Sequence, residues 1–291
     1  MKALKIIVLA KQVPDTRNVG KDAMKTDGTV NRSVLPAIFN PEDLNALEQA
    51  LRLKDRYKGS TVTILTMGPT RAAEVIREGL YRGADNGYLI TDKKFAGSDT
   101  LATSYTISQA IKKLAPYDVI ICGRQAIDGD TAQVGPQTAE KLNIPQVTYA
   151  EEILTVSNKS ITIKRRLERG VEVVSSPFPV LITVHSSAAP CRARNAKKIM
   201  KYKHACTVSE LQEMTEDYIQ LHKNRPYLDI EEWTVEDLNA DEQWLGLTGS
   251  PTKVKKIMNV VFTAKESKIL TNTDNDIESL MVELIENHTI G

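Results

Sequence analysis

The 291-residue chain has few cysteines, few aromatic residues and almost no net charge. Its three cysteines, Cys122, Cys191 and Cys206, form no C-x-x-C pair, so the sequence predicts neither a disulfide framework nor a zinc or dithiol site. Lysine and arginine total 38 against 37 acidic residues, which supplies no overall attraction for nucleic acid or an anionic membrane. No apolar run approaches the length of a secretory signal core or a membrane span. We therefore expect a cytoplasmic protein without nucleic-acid partners.

The first half alternates short β-branched or aliphatic runs with amphipathic segments. The runs at residues 6–9, 62–67, 88–91 and 119–122 are typical of strands buried on both faces. Helices are predicted after Asn40, at 70–82 and at 98–114, with Asn40 as a capping side chain, Pro41 in the first turn and Gly59 just past the end. This alternation predicts an α/β fold with a mostly parallel sheet covered by helices on both faces.

The pattern changes from about Val147. Residues 161–165 and 171–174 predict a hairpin at the sheet edge, and residues 180–184 predict a further buried strand. Beyond them lie a basic segment at 192–203 and a strongly acidic one at 210–242, with no fresh βα alternation. We therefore expect an extended arm that lies on a partner. Part of this arm should pack through four apolar residues: Trp233, Trp244, Leu245 and Leu247.

The segment 123–136, which follows the predicted strand at 119–122, is the richest candidate for a site. Gly123 is interpreted as allowing close ligand approach, Gly129 as a turn residue with positive φ, and Gly135-Pro136 as a helix entrance where a phosphate replaces the missing cap. Asp128 and Asp130 repel phosphate and suit turns, caps or ribose hydroxyls. A glycine-rich turn without a ligand explains these residues equally well.

Standard catalytic and metal signatures are missing. The sequence has no G-x-G-x-x-G after a strand and no G-x-x-x-x-G-K-[ST], and its four histidines lack metal-ligand spacing. His185 follows a predicted buried strand and is interpreted as a packing residue. The residues alone therefore predict neither a catalytic group nor a metal site.

Several long motifs nevertheless resemble the beta subunit of electron transfer flavoprotein, from near residue 1 to about 260. The shared runs are residues 8–15, 39–48, 67–69 and above all 123–136. A further hallmark follows, although Arg169 departs from the family pattern; it comprises Ile163, Arg165, Glu168, Gly170, Glu172, Val174, Pro179, Leu181, Ile182 and Thr183.

The resemblance implies a Rossmann-like domain of the adenine nucleotide alpha hydrolase-like kind over residues 1–190, with the edge hairpin near 160–175. It also implies an obligate heterodimer with an alpha subunit, a partner recognition loop at 191–204 and a C-terminal arm at 205–291 that packs on the alpha subunit. In this family the corresponding loops bind an adenine nucleotide, here through Leu9, Ala10, Asn40, Asp43, Met67, Gly68, Gly123, Arg124, Gln125, Ala126, Asp128, Gly129, Asp130, Thr131, Gln133, Val134, Gly135 and Pro136.

The family has two subtypes. In simple carriers the nucleotide is a structural AMP; in bifurcating members it is a second FAD that accepts hydride from NADH. One electron then goes to ferredoxin or flavodoxin, and the other passes through the alpha-subunit FAD. The runs at 128–136 and 245–252 resemble the bifurcating subtype, which we favour. A third interpretation is a regulatory adenine-nucleotide-binding module.

Further roles follow from the same resemblance. No residue is expected to act as an acid, base or nucleophile, but Arg124, Arg165 or Arg166 would tune flavin potentials if close to the ring. The recognition loop would dock an acyl-CoA dehydrogenase, another flavin dehydrogenase or a quinone-linked partner.

Overall fold

The computed structural model describes residues 3–15, 36–252 and 269–286, which form twelve strands and eight helices. The strands are β1 Lys5–Leu9, β2 Gln12–Pro14, β3 Ala37–Phe39, β4 Thr61–Met67, β5 Asn86–Ile90, β6 Val119–Gly123, β7 Gln146–Val156, β8 Ser160–Leu167, β9 Gly170–Pro177, β10 Val180–Val184, β11 Cys206–Thr207 and β12 Asp229–Trp233. The helices are α1 Pro41–Arg56, α2 Ala73–Arg82, α3 Thr100–Lys113, α4 Val134–Leu142, α5 Ala196–Tyr202, α6 Val208–Gln212, α7 Glu216–Asn224 and α8 Asp274–Glu286.

Ten strands form one sheet in the order β11-β12-β5-β4-β1-β6-β10-β7-β8-β9. All neighbours from β11 to β7 are parallel, whereas β7, β8 and β9 run antiparallel. The predicted α/β fold and its edge hairpin are therefore confirmed. The chain moves from β1 toward β4 and β5 on one side and later toward β6 and β10 on the other. The strand order thus reverses between β1 and β6, which is where open α/β sheets bind ligands.

The core lies on both faces of this sheet. On one face Leu47 and Leu51 of α1 pack against strand residues such as Val8. On the other face Ile111 of α3 packs with strand residues such as Ile120. Each fully buried aliphatic side chain of this kind stabilises the fold by about 1.5–3 kcal/mol.

A separate two-stranded ribbon follows β1. In it β2 pairs antiparallel with β3, so that Pro14 lies opposite Ala37. The ribbon precedes α1 directly and sets where that helix begins.

The expectation that no further βα alternation follows residue 206 is wrong. β11, α6, α7 and β12 form another unit, and β12 extends the sheet by pairing parallel with β5. The sequence of this strand, Asp-Ile-Glu-Glu-Trp, gives little strand signal, because three of its five residues are acids and only Ile230 and Trp233 are buried. Trp233 stacks on Tyr88 of β5 at a ring distance of 4.3 Å.

Residues 234–252 fold back on the start of α3. The Asp99 carboxylate accepts bonds from the Thr252 N–H and hydroxyl at 3.0 and 2.7 Å. Leu245 is buried there as expected, whereas Trp244 and Leu247 are exposed. The helix α8 buries none of its residues. The parts of the predicted arm at 253–268 and 287–291 lie outside the described residues.

Strand β7 is irregular. It has one residue more than β10 between two paired positions, since Val147 lies opposite Ile182 and Ala150 opposite Val184. Tyr149 sits within this bulge at φ 60°. The extra residue lets Val147 and Ala150 face the same core although they are three positions apart.

Candidate functional site

The amino end of α1 connects the loops that leave β1 and β6. The Asp43 carboxyl accepts the Lys11 N–H through Oδ2 and the Gly123 N–H through Oδ1, each at 2.9 Å. Burial raises the pKa of Asp43 to about 7, against the opposing effect of donors from Gly123, Asn40 and Lys11. One buried carboxyl therefore sets the distance between the two loops at the point of strand-order reversal.

Asn40 and Glu42 extend this network. The Asn40 side chain does not cap α1 as predicted; instead its Nδ2 donates to the Gln125 carbonyl at 2.9 Å and its Oδ1 accepts the Ile127 N–H at 3.2 Å. Glu42 accepts from the Arg124 guanidinium at 2.8 Å and from the Gln125 N–H at 3.2 Å. Glu42 lies within the run from Asn40 to Asp43 that the resemblance implies binds the nucleotide, although its place in the first helical turn alone indicates only a helix-dipole role.

Three glycines play parts other than those expected. A Cβ on Gly123 would meet Asp43 Oδ1 at 2.6 Å and the Glu42 backbone at 2.7 Å, so this glycine admits α1 and not a ligand. Gly129 faces open space, and positive φ occurs instead at Asp130 and Ala132, at 49° and 53°.

Gly135 is likewise not the cap of α4, which begins one residue earlier. A Cβ there would meet Thr183 and Cys122 at 2.8 and 2.9 Å, so the residue packs the helix closely on β10 and β6.

The loop between β6 and α4 is held by polar pairs. Lys11 Nζ contacts the Asp128 carboxylate at 2.8 Å, and Gln125 Nε2 donates to Asp130 Oδ1 at 2.8 Å. At the far end Thr100 Oγ1 donates to Gln133 Oε1 at 2.9 Å. The ammonium group of Lys11 offsets the charge of Asp128, which reduces the repulsion that this carboxylate would exert on a phosphate.

The amino end of α4 opens from this loop. Its N-cap residue, Gln133, makes no side-chain cap bond, the first turn contains no acid, and Pro136 has no N–H. Early amide groups of a helix without a side-chain cap attract anions, aided by the helix dipole. Together with the carboxylates of Asp128 and Asp130, which can accept from sugar hydroxyls, this arrangement fits a nucleotide.

The remaining predicted residues divide into two groups. Leu9, Ala10, Met67 and Gly68 lie at the carboxyl ends of β1 and β4, while Ala126 and Thr131 lie in the loop after β6. All of these belong to the same edge of the sheet.

Arg165 and Arg166 lie apart from these loops. They belong to β8, three strands from β6, or about 14 Å at the usual strand spacing. Arg165 donates to Thr148 Oγ1 at 2.9 Å. Arg166 donates to Glu151 at 2.6 Å, and together with Ser187 and Lys164 it lowers the pKa of Glu151 to about 2. Their effect on a flavin stays a prediction.

The basic segment at 192–203 is partly neutralised within the chain. Arg192 donates to Glu48 at 2.9 Å and to Asp55 at 2.8 Å, and Arg194 donates to Glu78 at 3.0 Å. The lysines of α5 include Lys201, which lies 4.7 Å from the ring centroids of both Tyr202 and Tyr227. The free charge of the segment is thus concentrated on α5.

Two further observations bound the chemistry. In the described ranges no group of three or more histidine, cysteine or acidic side chains has the geometry to hold a metal ion. No helix of those ranges is long and apolar enough to span a bilayer.

Comparison with known proteins gives consistent matches along the chain. The family model described as electron transfer flavoprotein domain matches residues 27–206. An electron transfer flavoprotein subunit beta from Megasphaera elsdenii is 42% identical over 288 residues, covering 97% of this chain and 96% of the relative. The acryloyl-CoA reductase electron transfer subunit gamma of Anaerotignum propionicum is 43% identical over 294 residues, covering 99% and 100%. The caffeyl-CoA reductase-Etf complex subunit CarD of Acetobacterium woodii is 39% identical over 289 residues, again covering 99% and 100%.

Proposed function

The chain belongs to the electron transfer flavoprotein family, and on that premise we propose that it is the beta subunit of an electron-bifurcating member. In this proposal the chain binds FAD, which accepts hydride from NADH. One electron passes to ferredoxin or flavodoxin, and the other passes through an FAD of the alpha subunit to a flavin dehydrogenase or a quinone-linked acceptor.

The observation that carries the proposal is the nucleotide cradle, by which we mean the 124–133 loop and the amino end of α4. It lies where the strand order reverses, it offers a helix start without a side-chain cap, and Lys11 offsets the charge of Asp128. The names of two relatives add support for the subtype, since one serves acryloyl-CoA reductase and the other a caffeyl-CoA reductase complex.

The residues of this chain act by holding and orienting the cofactor. The amides that open α4 receive the phosphate, and the carboxylates of Asp128 and Asp130 accept from ribose hydroxyls. Asp43, Asn40 and Glu42 do not need to touch the nucleotide, because they hold the backbone of the cradle in place. The bound flavin supplies the two-electron and one-electron chemistry that the side chains lack.

The proposed partners follow from the names of the relatives and from the charge on the surface of this chain. An alpha subunit would cover part of this chain, as the subunit names of the relatives imply for those proteins. An acyl-CoA dehydrogenase or related flavoprotein would dock at α5, where Lys197, Lys198 and Lys201 cluster on a seven-residue helix.

The decisive experiment counts nucleotides. The chain is co-expressed with its alpha subunit, the complex is purified and denatured, and the released nucleotides are separated and quantified. Two FAD per heterodimer are expected, followed by rapid bleaching of flavin absorbance when NADH is added. One FAD with one AMP would contradict the proposal in favour of a simple carrier, and a complex without flavin would indicate a regulatory nucleotide-binding module.

A further inference from the structure

The bulge in β7 places a strained aromatic residue at the same edge of the sheet as the nucleotide cradle. Tyr149 adopts φ 60°, a conformation that is rare for residues other than glycine, asparagine and aspartate. The residue is 37% exposed, so burial does not compensate for the conformation. Bulges near functional sites commonly redirect one side chain, and strained residues cluster at such sites.

Backbone bonds link this bulge to the cradle. The Arg124 N–H, at the start of the 124–133 loop, donates to the Val184 carbonyl at 2.9 Å. The next residue of that strand end, His185, donates its N–H to the Ala150 carbonyl at 2.8 Å, and the Tyr149 N–H donates to Thr183 Oγ1 at 3.2 Å. Tyr149 therefore lies level with Arg124 at the carboxyl edge of the sheet, two strands or about 10 Å away.

A second ring lies beside Tyr149. The imidazole of His185 is 6.1 Å from the Tyr149 ring, at an angle of 46°. It is not the core packing residue predicted from the sequence, because it is only half-buried beyond the end of β10. The two rings form an open pair at the surface.

The orientation of the imidazole is set by its neighbours. The Ser187 N–H donates to His185 Nδ1 at 3.1 Å, and the Ser187 hydroxyl donates to Glu151 Oε1 at 2.8 Å. Nδ1 also lies 2.9 Å from the Ser187 hydroxyl, so Ser187 holds the imidazole through both its backbone and its side chain. Within the described ranges neither Nε2 of His185 nor the Tyr149 hydroxyl has a hydrogen-bond partner. Two flat surfaces and two polar groups are thus available to a ligand.

Two arginines lie on the neighbouring strand β8, and both are paired with acids, Arg165 with Glu172 at 3.5 Å. Arg165 reaches Thr148, the residue before Tyr149, and Arg166 is held by Glu151. Arg165 Nε is buried without a hydrogen-bond partner. Electron-rich aromatic faces, with guanidinium groups on the neighbouring strand, suit a planar, electron-poor ring system that gains negative charge on reduction.

We propose that Tyr149 and His185 form the ring-binding end of the site, contacting the flavin ring system of an FAD whose adenylate half occupies the nucleotide cradle. This inference rests on the proposed function. AMP, which lacks the flavin half, would not reach the pair. Tyr149 therefore selects the dinucleotide over the mononucleotide, and the strain at φ 60° is retained because the ring is needed there.

The test uses the purified complex with the alpha subunit and measures how much AMP displaces half of the FAD bound to this chain. Tyr149→Gly removes the ring and suits the positive φ, and Tyr149→Asn does the same with a second residue that tolerates it. For both variants, the AMP concentration that displaces half of the FAD is expected to be about tenfold lower than for the wild type, because the variants lose the free energy of one ring-stacking contact. Tyr149→Phe keeps the ring and should behave like the wild type.

Controls separate this inference from loss of structure. Tyr218→Ala removes a tyrosine of similar exposure, 39%, on the distant helix α7, and should change nothing. The melting temperature of Tyr149→Gly should be equal to or above that of the wild type, because glycine relieves the strain.

Two outcomes would overturn the inference while leaving the proposed function intact. One is displacement of FAD from Tyr149→Gly and Tyr149→Asn at the wild-type AMP concentration. The other is loss of the alpha subunit on size exclusion with unchanged FAD affinity, which would make the ring pair a subunit contact. A wild-type complex that holds only AMP on this chain would instead contradict the proposed function.

Discussion

Two regions of the molecule use acidic residues in opposite ways. At the nucleotide cradle, the acids of the first turn of α1 accept hydrogen bonds from backbone amides of two loops. In the segment 192–203 most contacts to acids come instead from arginine side chains: Arg192 contacts Glu48 and Asp55, and Arg194 contacts Glu78, although the buried Glu48 also accepts the Arg192 N–H at 3.0 Å. The first arrangement fixes the course of the main chain, and the second positions long, partly exposed side chains.

Each region is therefore sensitive to a different perturbation. A carboxyl that is buried and bonded to backbone amides cannot be removed without moving the loops, and its charge depends on pH. Exposed ion pairs contribute little and are screened by salt. We therefore expect the cradle to respond to geometry and pH, and the basic segment to respond to ionic strength.

The largest difference should appear in the pH dependence of stability. Burial raises the pKa of Asp43 from 3.8 to about 7, so the folded state binds this proton more tightly than the unfolded state. Its contribution is fully present below about pH 4 and is lost as pH rises through 7, a change of about 4 kcal/mol in the free energy of unfolding. Urea unfolding of wild type and Asp43→Asn between pH 4 and 8 measures it. Parallel curves for the two proteins would contradict the assignment.

A smaller effect should come from the backbone contact of the cradle. Gly123→Ala would press a methyl group into Asp43 and the Glu42 backbone, and we expect a loss of about 3 kcal/mol in the free energy of unfolding, with less nucleotide retained. Gly129→Ala lies in the same loop but faces open space, so its change should stay within about 0.5 kcal/mol. Equal losses of unfolding free energy for the two variants would contradict this prediction, because they would show that the close contact of Gly123 with α1 has no effect of its own.

The smallest effect should come from the basic segment. Burial opposes ionisation of Glu48, but hydrogen bonds from Arg192 outweigh it and lower the pKa of Glu48. Arg192→Ala should cost about 1 kcal/mol, and the loss should shrink in high salt. The more exposed Arg194 provides the matched control, with a loss of about 0.3 kcal/mol for Arg194→Ala. Urea unfolding at low and high salt measures both losses of stability. If the loss for Arg192→Ala does not depend on salt, the contrast between the basic segment and the cradle is wrong.

The sequence predicted the parallel strands well because their chemistry is local. Residues 6–9 and 119–122 are apolar without interruption, residues 62–67 combine aliphatic residues with two β-branched threonines, and the observed β1, β4 and β6 differ from these ranges by one residue at most. β12 was missed because only two of its five residues are buried. Its position depends on Tyr88, which lies far away in the chain.

The sequence indicates which segments form the candidate site, but it does not indicate what each residue does there. Asparagine is a residue type that commonly caps helices, but the hydrogen-bond partners of the Asn40 side chain belong to a loop more than eighty residues away. Gly123 looks like a ligand-approach glycine because sequence does not reveal that α1 fills the space above it. The bulge at Tyr149 carries no sequence signal, since tyrosine is not a residue that favours positive φ.

The antiparallel pairing of β2 with β3 has a consequence for how the chain tolerates change. Because Pro14 and Ala37 are opposite one another, the two ends of the intervening segment meet at one point, whatever its length. The ribbon thus ties the end of β1 to the start of α1, so that the position of the buried carboxyls depends on three residue pairs that lie outside the main sheet.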